Sequence, residues 1–270
     1  MKSEKLGLKK KHFSLIGKFY DEIPDNLAPH RFKTWEYCYK YFHGNRKKLQ
    51  SCKKLPNEAL LIFSFYLASW GMYRGSSFLL SLDHTIHEKI LKELLSKDYN
   101  ILTMDISELK INNNEDEFVK KLIAARDRIR DVYEPIRTNV LKKQMAFHKK
   151  IGKQFNPKAT PKSEISNILA SKMLLGIFGC IPAYDTFFKQ GIKEIFPITE
   201  GNGSYPISQK FSEKSVRKII QCYNDNEELF NGRQYVLKIN KNIKYPTMKK
   251  IDMLFWLEGY KNSKKIDELD

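Results

Sequence analysis

The chain has 270 residues, 41% of them hydrophobic, enough to enclose one large core or two interlocked lobes and enough to exclude general disorder. Its 48 Lys+Arg against 31 Asp+Glu leave a formal net charge of +17, a surplus beyond what solubility needs, so a polyanionic partner is expected. Nucleic acid leads, ahead of an anionic membrane surface and of the plain alternative, a lysine-rich coat of the kind an AT-rich genome encodes. Cys38, Cys52, Cys180 and Cys222 are too widely spaced for a metal knuckle or a CxxC pair, and the basic N-terminus is apolar only over 13–16. A reduced, cytoplasmic protein without a signal peptide is therefore expected.

Along the chain, residues 1–20 read as a basic lead-in. Phe32, Trp35, Tyr39 and Phe42 recur at helical spacing and predict a first helix over about 30–43. Residues 59–82 carry one charge, Arg74; serines and glycines dilute the run, so it reads as a buried helix, ending near Tyr73, rather than a membrane span. A turn at 75–77 and a helix over about 85–96 follow. A long helix should cover 116–133, solvated and ion-paired through Arg126, Arg128 and Arg130, and break at Pro135 before a short basic segment at 140–153. Thr160-Pro161 is a start signal for a helix running to about Gly179. Residues 198–207 read as a loop, 211–229 as a helix, 234–239 as a short strand, and Pro246 opens a last helix with Met248, Ile251, Leu254, Phe255 and Trp256 inward. Strand signals are nearly absent, so the fold class is all-α with at most one short strand pair: one two-lobed domain over 1–270, its lobes dividing near 155.

The segment 171–188 is almost wholly apolar yet holds Lys172 and Asp185. Burying either charge alone would cost several kcal/mol, so each needs a partner or a task. Lys172 stands two turns after Ile165, on or beside the stripe of Ile168, Leu169, Met173 and Gly176. Either its stem runs along the core and lifts the ammonium to water, or it faces a dry cleft as an amine able to attack a sugar carbon. Asp185 is placed to cap the next helix, and a carboxylate there can also stabilise an oxocarbenium-like transition state or orient water.

A second cluster surrounds Arg74. Trp70 lies four residues before it, and Tyr73, Ser76 and Ser77 adjoin it. Hydroxyls and a guanidinium at such a turn can hold a phosphate, and an aromatic beside them can stack on an extruded base. The alternative pairs Arg74 with a core carboxylate such as Asp83 or Asp185. His84 and His87 form at most half a metal site and read as helix surface, and the loop at 200–204 lacks the features of a phosphate loop.

A helix bearing a lysine, then a proline-containing turn (Ile181-Pro182-Ala183-Tyr184-Asp185) with an aspartate at a helix start, resembles the helix-hairpin-helix DNA glycosylases, and the run Tyr245–Trp256 is similar to a closing helix of that fold. The family's paired glycines do not precede Lys172; Gly176 and Gly179 follow it, and no cysteine quartet for an iron–sulfur cluster is present. The resemblance implies excision of a damaged or modified base flipped out of double-stranded DNA, in repair or in anti-phage defence, with Asp185 and Lys172 catalytic; beside them, Arg74, Trp70, Tyr73, Ser76, Ser77 and Tyr184 are expected as substrate contacts. It implies no metal and no organic cofactor, and a monomer is expected. A non-enzymatic helical nucleic-acid-binding protein and a metal-dependent nuclease or toxin are the competing readings.

Overall fold

The computed structural model describes residues 5–22, 31–75, 77–152, 165–198 and 205–261. The fold is all-α with one two-stranded antiparallel sheet. Its helices are α1 (Lys10–Glu22), α2 (Arg31–Ser51), α3 (Asn57–Ser69), α4 (Glu88–Leu94), α5 (Ile106–Leu109), α6 (Glu115–Lys150), α7 (Asn167–Phe178), α8 (Thr186–Ile195), α9 (Glu213–Asn224), α10 (Glu227–Asn231) and α11 (Thr247–Lys261). The strands β1 (Val236–Leu237) and β2 (Asn240–Lys244) precede α11.

The centre of the molecule is α7. Leu169 to Phe178 are all buried, the pattern of a helix apolar around its whole circumference. Ser166 caps its start through Leu169 N, and Gly179 ends it in the left-handed region at φ 66°, where a side chain would collide with Pro246. Trp35 of α2 donates its indole N–H to the Leu175 carbonyl at 3.0 Å, and Tyr66 of α3 donates its hydroxyl to the Lys172 carbonyl at 2.8 Å. These bonds tie α7 to α2 and α3 across more than 100 residues of sequence.

Behind α7, α8 and α11 cross at van der Waals range because both lack side chains at the crossing. A Cβ on Gly191 would lie 1.8 Å from the Phe255 carbonyl oxygen, and one on Gly259 would lie 1.9 Å from that of Phe187. Glu36 of α2 anchors the strand pair. Its carboxylate accepts the amides of Lys238 and Ile239 at 3.0 and 3.2 Å and the hydroxyl of Tyr245.

Several expectations change. The basic lead-in contains a helix, α1, whose His12, Ile16 and Tyr20 are buried. It packs against α10 and α11, so a segment of the first half lies on the second. The expected lobe boundary near 155 falls outside the described residues, as do the Thr160-Pro161 start signal, the helix start at 30 and the loop at 200–204; one apolar core includes residues of both halves. Pro135 does not break the long helix. It sits inside α6, because the buried stripe of Phe118, Leu122, Ala125, Ile129, Val132 and Val140 continues past it and outweighs one lost hydrogen bond. The helix expected over 211–229 divides into α9 and α10 around Asp225 and Asn226. No helix among the described residues is long and apolar enough to cross a membrane, and the uncharged run after residue 59 is α3 with its buried Phe63, Tyr66 and Leu67.

Candidate active site

Lys172 and Asp185 meet. The Lys172 ammonium lies 3.6 Å from Asp185 Oδ2, and it donates to the carbonyl of Trp70 at 2.8 Å. Trp70 caps the C-terminus of α3, where the unpaired carbonyls carry partial negative charge, so a cation is well placed there. Lys172 therefore does not lift its ammonium to water: the side chain is 6% exposed. The carboxylate side is the more open one, with Asp185 at 16%.

Asp185 starts α8. Its Oδ1 accepts the amide of Phe188 at 3.1 Å, the three-residue capping geometry expected from the sequence. One oxygen is thus fixed by the helix, and the other reaches Lys172. The turn before it is buried from Cys180 to Tyr184 and held from two sides: Ser171 Oγ accepts the amide of Tyr184 at 2.9 Å, and Asp252 Oδ1 accepts the amide of Ala183 at 2.9 Å.

Asp252 belongs to a second lysine–aspartate pair that the sequence reading passed over. Lys249 Nζ lies 2.6 Å from Asp252 Oδ2, and both residues are sealed, at 0% and 1% exposure. The Lys249 ammonium sits against the faces of Phe32, Trp35 and Trp70, at 4.3, 4.9 and 4.7 Å from the ring centroids. Burial pushes the Lys249 amine below its usual range and the Asp252 carboxyl above its own, each opposed by the charge of the other. Trp70 links the two pairs: its carbonyl holds Lys172 and its ring holds Lys249. The contacts close a circuit from Asp185 to Lys172, Trp70, Lys249, Asp252, Ala183 and back to Asp185. The legible signal was two charges three residues apart inside the inward-facing run Met248–Leu257. Glu36 offered a similar one, an acid on the apolar face of α2; burial pushes its carboxyl above the usual range.

The remaining predicted contacts do not converge on this circuit as a group. Trp70 does, but it is 6% exposed and framed by Phe32 and Tyr66. Tyr184 is fully buried, stacked on Phe211, with its hydroxyl 2.8 Å from Ser215 Oγ. It offers no open face, because the turn aims it into the core. Tyr73 is half-buried, with its hydroxyl 2.6 Å from His87 Nε2. Ser77 caps the short 3-10 helix Phe78–Ser81. Arg74 is exposed and makes no ion pair among the described residues, so neither Asp83 nor Asp185 holds it there. Ser76 lies outside the described residues. His87 is not helix surface: it is buried, with its ring nitrogens on the hydroxyls of Tyr73 and Tyr133. No cluster of three or more His, Cys, Asp or Glu among the described residues has the geometry to hold a metal ion, and all four cysteines are free.

A cleft of about 700 Å3 opens at the far end of α7, lined by Tyr39, His43, Asp105, Phe178, Lys244 and Lys250 among others. Neither Lys172 nor Asp185 lines it. What the Lys172–Asp185 arrangement offers chemically is a partly exposed carboxylate, oriented by a helix start and backed by a buried cation. Such a group can stabilise positive charge on a ligand atom or direct a water to it. No family model, no curated protein and no solved structure matches the chain.

Proposed function

We propose that this chain is a DNA N-glycosylase that excises a damaged or modified base, with Asp185 as its central group. The observation that carries the reading is the Lys172–Asp185 contact itself. Lys172 and Asp185, the two groups that the family resemblance makes catalytic, lie 3.6 Å apart, with the carboxylate the more open of the two. The net charge of +17 fits a polyanionic substrate.

In this reading the target nucleotide leaves the stack and its sugar approaches Asp185. As the bond from C1′ to the base breaks, the electron pair departs with the base, which takes up a proton. The cationic sugar is stabilised by the carboxylate, and water adds to C1′ with loss of a proton. Lys172 orients the second carboxylate oxygen. Were it instead to give up a proton, leave the Trp70 carbonyl and attack C1′ with the freed lone pair as the base departs, a Schiff base would form as the C1′–O4′ bond opens, and elimination of the 3′ phosphate would cleave the strand. No metal or organic cofactor enters these steps. Repair and anti-phage defence are both compatible settings, and defence suits an unusual base better.

The test is a panel of duplexes with ordinary, uracil-containing, oxidised, alkylated and glucosylated bases, incubated with protein and heated in alkali. Base release that Asp185→Asn abolishes supports the reading; no release on any substrate, or full activity in that variant, defeats it. Borohydride trapping on an abasic duplex, lost in Lys172→Ala, would add the lyase step.

The tight hold on Lys172 also favours a second reading, in which both ion pairs are structural and the protein binds nucleic acid without chemistry. Binding without release across the panel is its signature. Direct nicking abolished by EDTA would point instead to a metal-dependent nuclease.

A further inference from the structure

We infer that the last three turns of α6 form the face that grips the nucleic-acid backbone, through Lys142, Lys143, Lys149 and Lys150. The inference rests on the proposed reading only in taking DNA as the partner; it does not depend on Asp185.

The two ends of α6 differ sharply in charge. Its first part mixes signs, with Glu115, Asp116, Glu117, Asp127, Asp131 and Glu134 among its lysines and arginines. After Glu134 no acidic residue occurs until Glu164. Residues at the end of the helix are exposed on most sides, and none of the four lysines makes an ion pair among the described residues. The part-buried positions Leu141, Gln144 and His148 form the line facing the body, where Gln144 donates to Ser81 Oγ at 3.3 Å. At about 100° per residue, Lys142 and Lys149 fall together on the opposite side, with Lys143 and Lys150 beside them. The result is two pairs about 10 Å apart along the helix axis, pointing away from the protein.

A preference for cations at a helix C-terminus accounts for Lys149 and Lys150 in the last turn, but not for Lys142 and Lys143 two turns earlier. An ordinary solvated face would interleave acids, as the first part of α6 does. A stripe of one sign, without internal partners, is complementary to a row of phosphates. Phe147 (61% exposed) borders the stripe and can pack on sugars or base edges. A membrane surface fits less well. An interfacial helix needs one continuous apolar face; here the side opposite the lysines is occupied by the protein body, and Met145, another exposed apolar residue, lies across the helix from Phe147.

The test is equilibrium binding of the full chain to a fluorescent duplex of ordinary sequence over a range of salt. Three proteins are compared: wild type, the quadruple Lys142→Gln, Lys143→Gln, Lys149→Gln, Lys150→Gln variant, and a control of equal charge change at the exposed Lys89, Lys97, Lys110 and Lys120. Each phosphate contact contributes about 0.9 to the slope of log affinity against log salt, so the quadruple variant should lose about 3 to 4 from the wild-type slope and the control less than about 1. All changes are at exposed positions, and circular dichroism checks folding. A wild-type slope in the quadruple variant, or equal losses in both variants, overturns the inference while leaving the glycosylase reading intact. Wild type that does not bind duplex overturns both. Loss of binding to vesicles containing phosphatidylserine, with the DNA slope kept, assigns the face to membranes and also overturns it. Asp185→Asn should keep the full slope, which separates the gripping face from the chemistry.

Discussion

Asp252 on α11 accepts the amide proton of Ala183 at 2.9 Å, and the carbonyl of that same Ala183 accepts the amide of Asp185 at 2.8 Å. A fully buried carboxylate from the last helix thus sets the backbone that aims the candidate catalytic one. Its own charge is met by Lys249, which sits in the cage of Phe32, Trp35 and Trp70. Removing one member of such a pair leaves the other buried without compensation, a loss of about 3–5 kcal/mol, whereas removing both costs less than the sum. Lys249→Met and Asp252→Asn should each destabilise by that order, and the double variant should recover part of the loss. Urea unfolding of all four proteins in a double-mutant cycle reads the coupling. Additive losses would show that the two side chains do not depend on each other.

Asp185 has a capping oxygen and a Lys172-facing oxygen, and substitutions separate them. Asparagine caps helices about as well as aspartate, so Asp185→Asn should keep the Phe188 bond and lose only the charge that faces Lys172, while Asp185→Ala should cost about 1 kcal/mol more. If the carboxylate stabilises a cationic transition state, both variants lose activity alike, by a factor of about 100 or more. Activity that tracked stability, with Asp185→Asn near wild type, would reduce Asp185 to a helix cap. Single-turnover base release measured beside thermal unfolding gives both numbers.

What the sequence disclosed and what it hid divide along sequence distance. The cap at Asp185 depends on a residue three positions on, and the helical stripe of α2 on neighbours three and four apart, so both were readable. The Trp70 carbonyl that holds Lys172 lies on an element brought to it only by folding, across 102 residues. Lys249 and Asp252 were visible as charges in an apolar run, but nothing local placed three aromatic rings around the amine. In α1 the dense lysines masked the His12, Ile16 and Tyr20 spacing, since the helix packs on α10 and α11, more than 200 residues away. Tyr184, read as a substrate contact, points inward because the whole turn from Cys180 to Tyr184 is buried and its ring stacks on Phe211.

His87 makes stability depend on pH. Burial pushes its imidazole down to about 3 from an ordinary 6.5, and the ring is held neutral between the Tyr73 and Tyr133 hydroxyls. Between those two values the unfolded chain binds a proton at His87 that the folded chain refuses. Stability at this site is therefore complete above pH 6.5 and falls as pH falls, by about 1.4 kcal/mol per unit. Denaturant unfolding at pH 7, 6, 5 and 4 should show this slope, and His87→Gln should be shallower by that amount over the same window while being less stable at pH 7. Equal slopes in the two proteins would mean the ring protonates in place.

Pro135 gives the last prediction. It lies exposed within α6, where proline supplies no amide to the carbonyl four residues earlier and its ring crowds that turn. The helix survives because its buried stripe continues on both sides and because Arg137 pairs with Glu134 across the site. Alanine restores the missing donor and has the higher helix propensity, a gain of up to about 3 kcal/mol. The greater freedom of the unfolded chain without proline takes back about 0.4–1 kcal/mol. Pro135→Ala should therefore raise stability by about 1–2 kcal/mol, read as a higher urea midpoint with an unchanged slope. A lower midpoint would show that the turn around Pro135 is adapted to the missing bond, and that a continuous hydrogen-bond ladder there strains the packing of Val132 and Val140 against the core.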